Sequence, residues 1–302
     1  MKKLFFTFFS LLLISGLTAQ EDPGKALKKA TRALGAYNLD PAANEAKLAA
    51  AVDYIEMAIA DESMQSNIKA WQARGEVYNA LAQKDVNNLI LNPEYVPQNP
   101  DAALKASESF YKALSLAQKK YEKKDALEGL QEAGKNLNII GNFQIGEQNY
   151  AAAFQTFDTV LKIHETLKAN GMDSPIADED LENQKFITAY CANASGNTDR
   201  AKVLFKEMYE AGSNEPGVYA QYFNILNAEG DENAVKVLNE ARQKFPDNAE
   251  ILFAEINYYI AQNKFDILED KLKLAIEKEP NNPSVRTALG NVYMNLYETE
   301  FN

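Results

Sequence analysis

The sequence predicts an all-α fold, a solenoid of short antiparallel helix pairs. Three observations predict it. An apolar trio with spacings of four and three residues occurs six times: Ala51/Ile55/Ala58, Ala106/Phe110/Ala113, Ala153/Phe157/Val160, Ala201/Phe205/Met208, Ala234/Leu238/Ala241 and Leu268/Leu272/Ala275. That spacing lays three side chains along one helix face. Around Pro246 and Pro280, KFPDN and KEPNN are near copies one 34-residue step apart, and self-similarity at a fixed period marks a repeat architecture. Finally, a chain of 302 residues exceeds the size at which one compact core keeps growing, so it divides into domains or extends as an array.

The elements follow in chain order. MKKLFFTFFSLLLISGLTAQ opens with Lys2 and Lys3 and continues with an apolar run from Leu4 to Leu17. This run is shorter than the ~20 residues of a membrane-spanning helix. Residues 1–19 therefore read as a secretory signal peptide, and the mature chain as exported, periplasmic or secreted, with no membrane span. Residues 20–66 form a degenerate first helix pair ending on the first trio. From residue 67 to 302 the repeats are more regular. In WQARGEVYNALAQK, Trp71, Gly75 and Tyr78 share one helix side. Glycine there costs about 1 kcal/mol relative to alanine, so a close neighbour is expected at Gly75, and Ala106 is the candidate.

Successive trios stand 55, 47, 48, 33 and 34 residues apart, which places inserts in the first three gaps, near 85–100, 120–133 and 170–180. The first, KDVNNLILNPEYVPQNPD, is proline-rich and apolar, a non-helical lid over helix ends or a contact element for a partner. The second reads as a solvated helical extension. The third is a loop that closes on Asp180 as a helix N-cap. Asp178, Glu179 and Asp180 lack the glycine and ligand spacing of a calcium loop. Later, Leu252, Ile256, Tyr259 and Ile260 line one helix face, and Gly230-Asp231 and Asn263-Lys264 mark turns. The chain closes on a single helix, NPSVRTALGNVYMNLYETEFN, with no partner helix after it. Leu289, Val292, Tyr293 and Leu296 line one side, so the natural chain is expected to continue past Asn302 or this end to be covered, with weak self-association as the consequence.

A two-helix repeat of 34 residues with W-x3-G-x2-Y, then A-x3-F and a proline, resembles the tetratricopeptide repeat (TPR) family. Trp71, Gly75, Tyr78, Ala106, Phe110 and Ala113 fall on its signature positions, with Arg74 where leucine is usual. Leu137, Gly141, Ala153 and Phe157 match in the next unit, and Leu289, Gly290 and Tyr293 in the last. The resemblance implies about six repeats plus a terminal half repeat, wound into a right-handed superhelix with a concave groove of first helices. It also implies a non-enzymatic protein-protein interaction scaffold that holds a peptide or protein segment in that groove. Counted from the glycine positions, the groove residues are Asn142, Tyr190, Phe223, Asn257 and Asn291, and four places earlier Asn138, Phe186, Tyr219, Phe253 and Thr287. Basic residues of a carboxylate clamp do not recur. Asparagine amides donate to and accept from an extended backbone, although asparagine after this glycine is also an ordinary feature of such repeats.

Composition narrows the function classes. The net charge is −12, which opposes nucleic acid and anionic membranes as partners. One histidine, His164, and one cysteine, Cys191, leave no metal set and no histidine-assisted nucleophile. His164 reads as a surface residue at a helix C-terminus, and Cys191 as a small buried hydrophobe, ahead of an intermolecular disulfide. No P-loop, nucleophile elbow or dinucleotide fingerprint occurs, so no catalytic residue, metal or cofactor is expected. The alternatives to a scaffold are a structural component of an envelope assembly and, with one tryptophan for stacking, a glycan-binding protein.

Overall fold

The computed structural model describes residues 22–301 apart from 263 and 282; side chains at 265, 266, 284 and 295–301 are also left aside. The expected signal peptide, the turn residue Asn263 and the side chain of Leu296 lie outside the described residues. The chain forms two compact units, Met1–Asn136 and Leu137–Asn302. Both are all-α, and no strand occurs among the described residues.

The N-terminal unit holds α1 (Pro23–Leu39), α2 (Glu45–Ile59), α3 (Ile68–Leu91), α4 (Ala102–Leu116) and the start of α5 (Lys120–Gly146). Local chemistry sets the starts. Asp22 accepts from Lys25 N with Pro23 at the first turn, and Asn67 accepts from Lys69 N and Ala70 N, meeting amides that have no partner within the helix. The trios of α2 and α4 are almost wholly buried. In α2, Ala51 and Ile55 pack with Ala30, Leu34 and Tyr37 of α1 and Val77 of α3.

Gly75 faces a ring rather than a backbone. A Cβ on Gly75 would stand 2.6 Å from Cε1 and Cζ of Phe110, and a Cβ on Gly129 of α5 would stand 2.3 Å from Cε1 of the same ring. Two glycines thus clear the space that one phenylalanine fills, and Ala106 is simply buried beside it. The 120–133 stretch is accordingly no solvated extension. Ala126, Leu127, Leu130 and Ala133 are buried, because α5 packs on α4 as a first helix does. Arg74, the departure from the repeat pattern, joins three helices: Nε donates to Glu56 Oε1 of α2 at 2.7 Å and a terminal nitrogen donates to Ser109 Oγ of α4 at 2.8 Å. Its guanidinium also lies 4.9 Å from the Tyr78 ring centre. Desolvation, with Glu56 nearby, raises the Tyr78 phenol to about 12.

The 85–100 insert also differs from expectation. Its first residues continue α3 to Leu91, since no proline occurs before Pro93. Ile90, Leu91 and Val96 are 65%, 84% and 62% exposed and cover no helix end, whereas Leu89 and Tyr95 are half-buried and Pro97 is buried. Asp85 organises the segment. This buried carboxylate accepts from Tyr95 Oη and from Asn99 N, each at 2.6 Å.

The C-terminal unit continues α5 and holds α6 (Tyr150–Ala169), α7 (Leu181–Ala194), α8 (Thr198–Glu210), α9 (Pro216–Ala228), α10 (Asn233–Lys244), α11 (Ala249–Ala261), α12 (Phe265–Lys278) and α13 (Pro283–Phe301). Their trios are buried too. Gly230 turns at φ 70° between α9 and α10. Cys191 is buried beside Ala153 and Phe157, and desolvation raises its thiol to about 11, which keeps it protonated and shielded. Between α10 and α12, Glu255 of α11 forms ion pairs with Arg242 at 2.9 Å and Lys271 at 2.6 Å. In α13, Val285 and Val292 are buried against Leu268 and Leu272, Leu289 is half-buried, and Tyr293 is exposed with its hydroxyl donating to Glu269.

Two local expectations are corrected in the 170–180 loop. Asp180 stands at the start of α7 but its side chain makes no capping bond, because backbone near the helical region there points the carboxylate away from the amides. His164 is not a surface residue. It is 7% exposed and its Nδ1 lies 2.8 Å from Ser174 Oγ, which in turn accepts from Ile176 N. The loop folds back over the end of α6 and covers the imidazole, and Lys168 pairs with Asp178 at 2.6 Å.

Burial, and then Lys168, lower the His164 pKa from its ordinary value of 6.5, against the opposing pull of Asp178 and Glu165. The unfolded chain therefore takes up this proton first as pH falls. The stability contributed by His164 is constant above neutrality, falls as pH drops through about 6.5, and levels off below the depressed folded value. Urea midpoints measured from pH 8 to pH 5 should show this fall in the native chain and a shallower one in His164→Gln. Equal slopes would remove His164 as the cause.

Candidate functional site

In the N-terminal unit the first helices α1, α3 and α5 line a cavity of about 770 Å3. Its apolar lining comes from Leu27 of α1, Met64 in the turn before α3, and Ile68 and Ala73 at the start of α3. Lys28 and Arg32 of α1, Lys69 and Glu76 of α3, and Glu122 and Asp125 of α5 also line it. A second cavity of about 500 Å3 shares Gln72, Glu76 and Asp125 with the first and continues it past Asn79 and Gln83 of α3 and Glu128 and Glu132 of α5. The two form one groove along the first-helix face of this unit.

Polar chemistry in the groove is only partly used up internally. Gln72 Nε2 donates to Glu76 Oε1 at 3.2 Å and reaches Asp125 O at 3.5 Å. Asn79 Nδ2 donates to Gly129 O at 3.1 Å, while its Oδ1 is buried with no partner, an uncommon and costly state. Desolvation raises the Glu76 carboxyl above its ordinary value, the Gln72 bond opposes this, and the charge of Asp125 adds to the rise. Glu122 serves its own helix by accepting from Gln118 N and Lys119 N, each at 3.0 Å. Such a groove can seat an extended chain: apolar floor for side chains, amides for its backbone and carboxylates for cations. Among the described residues no group of three or more His, Cys, Asp or Glu could hold a metal, and no helix is long and apolar enough to cross a membrane.

The groove residues expected from the sequence all belong to the C-terminal unit, and the structure separates them. Asn142, Tyr190, Asn257, Asn291 and Thr287 are exposed, and Asn138, Phe186 and Phe253 are half-buried. Asn138 carries a second buried oxygen without a partner. Phe186 packs on the Phe205 ring and into the space above Gly217. Tyr190 meets Tyr150 edge to face at 5.8 Å.

Tyr219 and Phe223 do not face a groove. Both are buried, at 4% and 1% exposure. Tyr219 Oη donates to Ser213 O and receives Lys244 Nζ, each at 3.1 Å, and Phe223 packs against Tyr258. The cause is a one-residue slip. Asn142, Tyr190 and Asn257 each precede their trio by eleven residues, whereas Asn224, the exposed residue next to Phe223 in α9, precedes Ala234 by ten. Counting eleven from that trio lands on the inward position.

The N-terminal groove was missed for a different reason. The same counting rule applied to Gly75 yields Glu76 and Gln72, both on its wall, but α1 and the first half of α5 offer no full signature from which to count.

No protein-family profile matches the chain, and no curated protein matches it. Among solved structures, Naa15/Naa10 bound to HypK-THB is similar over 93% of this chain, with 15% identity and a TM-score of 0.46; the chain spans 36% of that one. A tetratricopeptide repeat protein from Parabacteroides merdae shares 14% identity over 89% of this chain and 100% of its own, with a TM-score of 0.40. PilF of Pseudomonas aeruginosa shares 14% identity over 89% of this chain and 99% of its own, with a TM-score of 0.38.

Proposed function

We propose that this chain is a non-enzymatic interaction scaffold that holds an extended peptide or protein segment along the α1–α3–α5 groove of its N-terminal unit. The observation that carries the reading is the groove itself: about 770 Å3 of space over an apolar floor, continuous with a second, amide-lined and acid-lined stretch. The volume matches that of concave sites that seat small ligands or a few residues of chain. A scaffold needs no catalytic constellation, only a rigid surface, and buried trios supply rigidity behind the groove.

Gln72 lines both cavities, so a bulky side chain there obstructs the groove at its middle. Peptides selected from a random 12-residue display library on the native chain should bind Gln72→Trp at least tenfold more weakly, about 1.4 kcal/mol, with an unchanged helical circular-dichroism spectrum. Undiminished binding to that variant would place the site elsewhere.

A further inference from the structure

Two polar helix faces run along the second cavity of the groove. On α3, Gln72, Glu76, Asn79 and Gln83 recur every three or four residues, and on α5 Asp125, Glu128, Glu132 and Asn136 do the same. Each set therefore lies along one side of its helix, and all of them line the cavity of about 500 Å3. The bonds from Gln72 to Asp125 O and from Asn79 to Gly129 O hold the two faces alongside each other.

Four carboxylates line this cavity and no lysine or arginine does; Lys28, Arg32 and Lys69 line the first cavity and not the second. The four are weakly compensated. Glu128 pairs with Lys124 at 3.4 Å and Glu132 with Lys135 at 2.7 Å, each within α5 and with both side chains more than half exposed. Pairs of that kind contribute little and yield readily to a better partner. Among the described residues neither Glu76 nor Asp125 forms an ion pair, and Glu76 has the neutral Gln72 as its hydrogen-bond partner.

Asn136 adds a polar group of another kind. It is 2% exposed, it lines this cavity, and its side-chain amide has no hydrogen-bond partner among the described residues. A buried amide left without partners is costly, so its open positions mark where a polar group of a ligand belongs. Leu34, Ala80 and the Phe110 ring supply apolar lining beside it.

We infer, resting on the groove reading above, that the second cavity is a binding site for an arginine side chain of the bound segment. The apolar stem of the arginine lies against Leu34, Ala80 and Phe110, and its guanidinium donates to the carboxylates and to the amide oxygen of Asn136. A guanidinium has five donors in a planar fork and no acceptor, which suits a lining of carboxylate and amide oxygens. A lysine ammonium, a compact and more strongly hydrated point charge with three donors, fits it less well. Among the described residues no group of three or more His, Cys, Asp or Glu could hold a metal ion, so the guest is an organic cation.

The test uses the full chain and peptides selected on it from the random 12-residue display library. Arginine should be enriched at least fivefold over the input at one position of the selected set. In the leading peptide, replacing that arginine with citrulline, its neutral isostere, should weaken binding at least tenfold at low salt and less at high salt. Lysine at the same position should fall between the two. The triple variant Asp125→Asn/Glu128→Gln/Glu132→Gln, with an unchanged helical circular-dichroism spectrum, should bind the arginine and citrulline peptides within twofold of each other. Because the whole chain is acidic, at −12, a control neutralises Asp199, Glu232 and Glu277, exposed acids of the C-terminal unit, and should keep the discrimination. The inference is overturned by no arginine enrichment, by a citrulline or lysine peptide that binds as tightly as its arginine parent, by a triple variant that still discriminates, or by a control that does not. Binding that Gln72→Trp weakens but that does not depend on arginine fails the arginine site alone; no selected peptide, or selection that Gln72→Trp leaves intact, fails the groove itself.

Discussion

Replacing Phe110 with alanine should cost the N-terminal unit roughly 3–5 kcal/mol, the range for removing a fully buried aromatic side chain. The ring is 1% exposed and fills the space left by both Gly75 and Gly129, so its loss opens a cavity between α3, α4 and α5 that no neighbour can collapse into. Trp71, the one tryptophan of the chain, stands on α3 and reports this unit by fluorescence during urea unfolding. A loss below about 1 kcal/mol would show that the three helices close up without the ring. The converse change tests the same wedge. Gly129→Ala places a methyl 2.3 Å from the ring and should cost about 1–3 kcal/mol by overpacking. Adding Phe110→Leu should return part of that loss, because sites in contact are not additive.

Asp85→Ala is expected to cost about 2–4 kcal/mol and to release the segment that follows α3. The carboxylate is 1% exposed and holds Tyr95 Oη and Asn99 N, two bonds to a charged acceptor worth about 1.5–3 kcal/mol each when intact. Removing it leaves a backbone amide and a phenol without their acceptor at the base of a loop. Ile90, Leu91 and Val96 stand outward, while the Asp85 bonds hold the segment at Tyr95 and Asn99. Amide exchange should rise sharply from Asn92 to Asn99 in the variant. Protection as strong as in the native chain would mean that packing on Pro97, buried in this loop, suffices without the carboxylate.

How far the sequence reaches can be seen residue by residue. The six trios are legible because burial of one helix face demands the same spacing each time, and all of them are buried. The one helix cap expected from sequence, Asp180, makes no capping bond, while Asn67, which sequence did not single out, caps α3, because backbone angles decide whether a side chain meets the amides. His164 and the 120–133 stretch read as solvated because polar residues surround them in sequence; a loop folded back over α6 and the close pass of α5 at Phe110 bury them.

The candidate site divides the same way. That first helices of a repeat should build a groove follows from the pattern, and so does a polar wall at Gln72 and Glu76 once Gly75 is the reference. Which groove has the room does not follow. Repeat counting is a one-dimensional ruler, and one residue less between α9 and its trio turned Tyr219 and Phe223 into the core and Asn224 outward. Periodicity alone determined the all-α class, the helix pairs and the buried trios, because each is a property of spacing along one helix. Tertiary structure alone decided the partner of Gly75 and the purpose of Arg74 and Asp85. It alone brought Lys28, Lys69, Glu76 and Asp125 from three helices to one cavity, because distance between helices is set by side chains far apart in the chain.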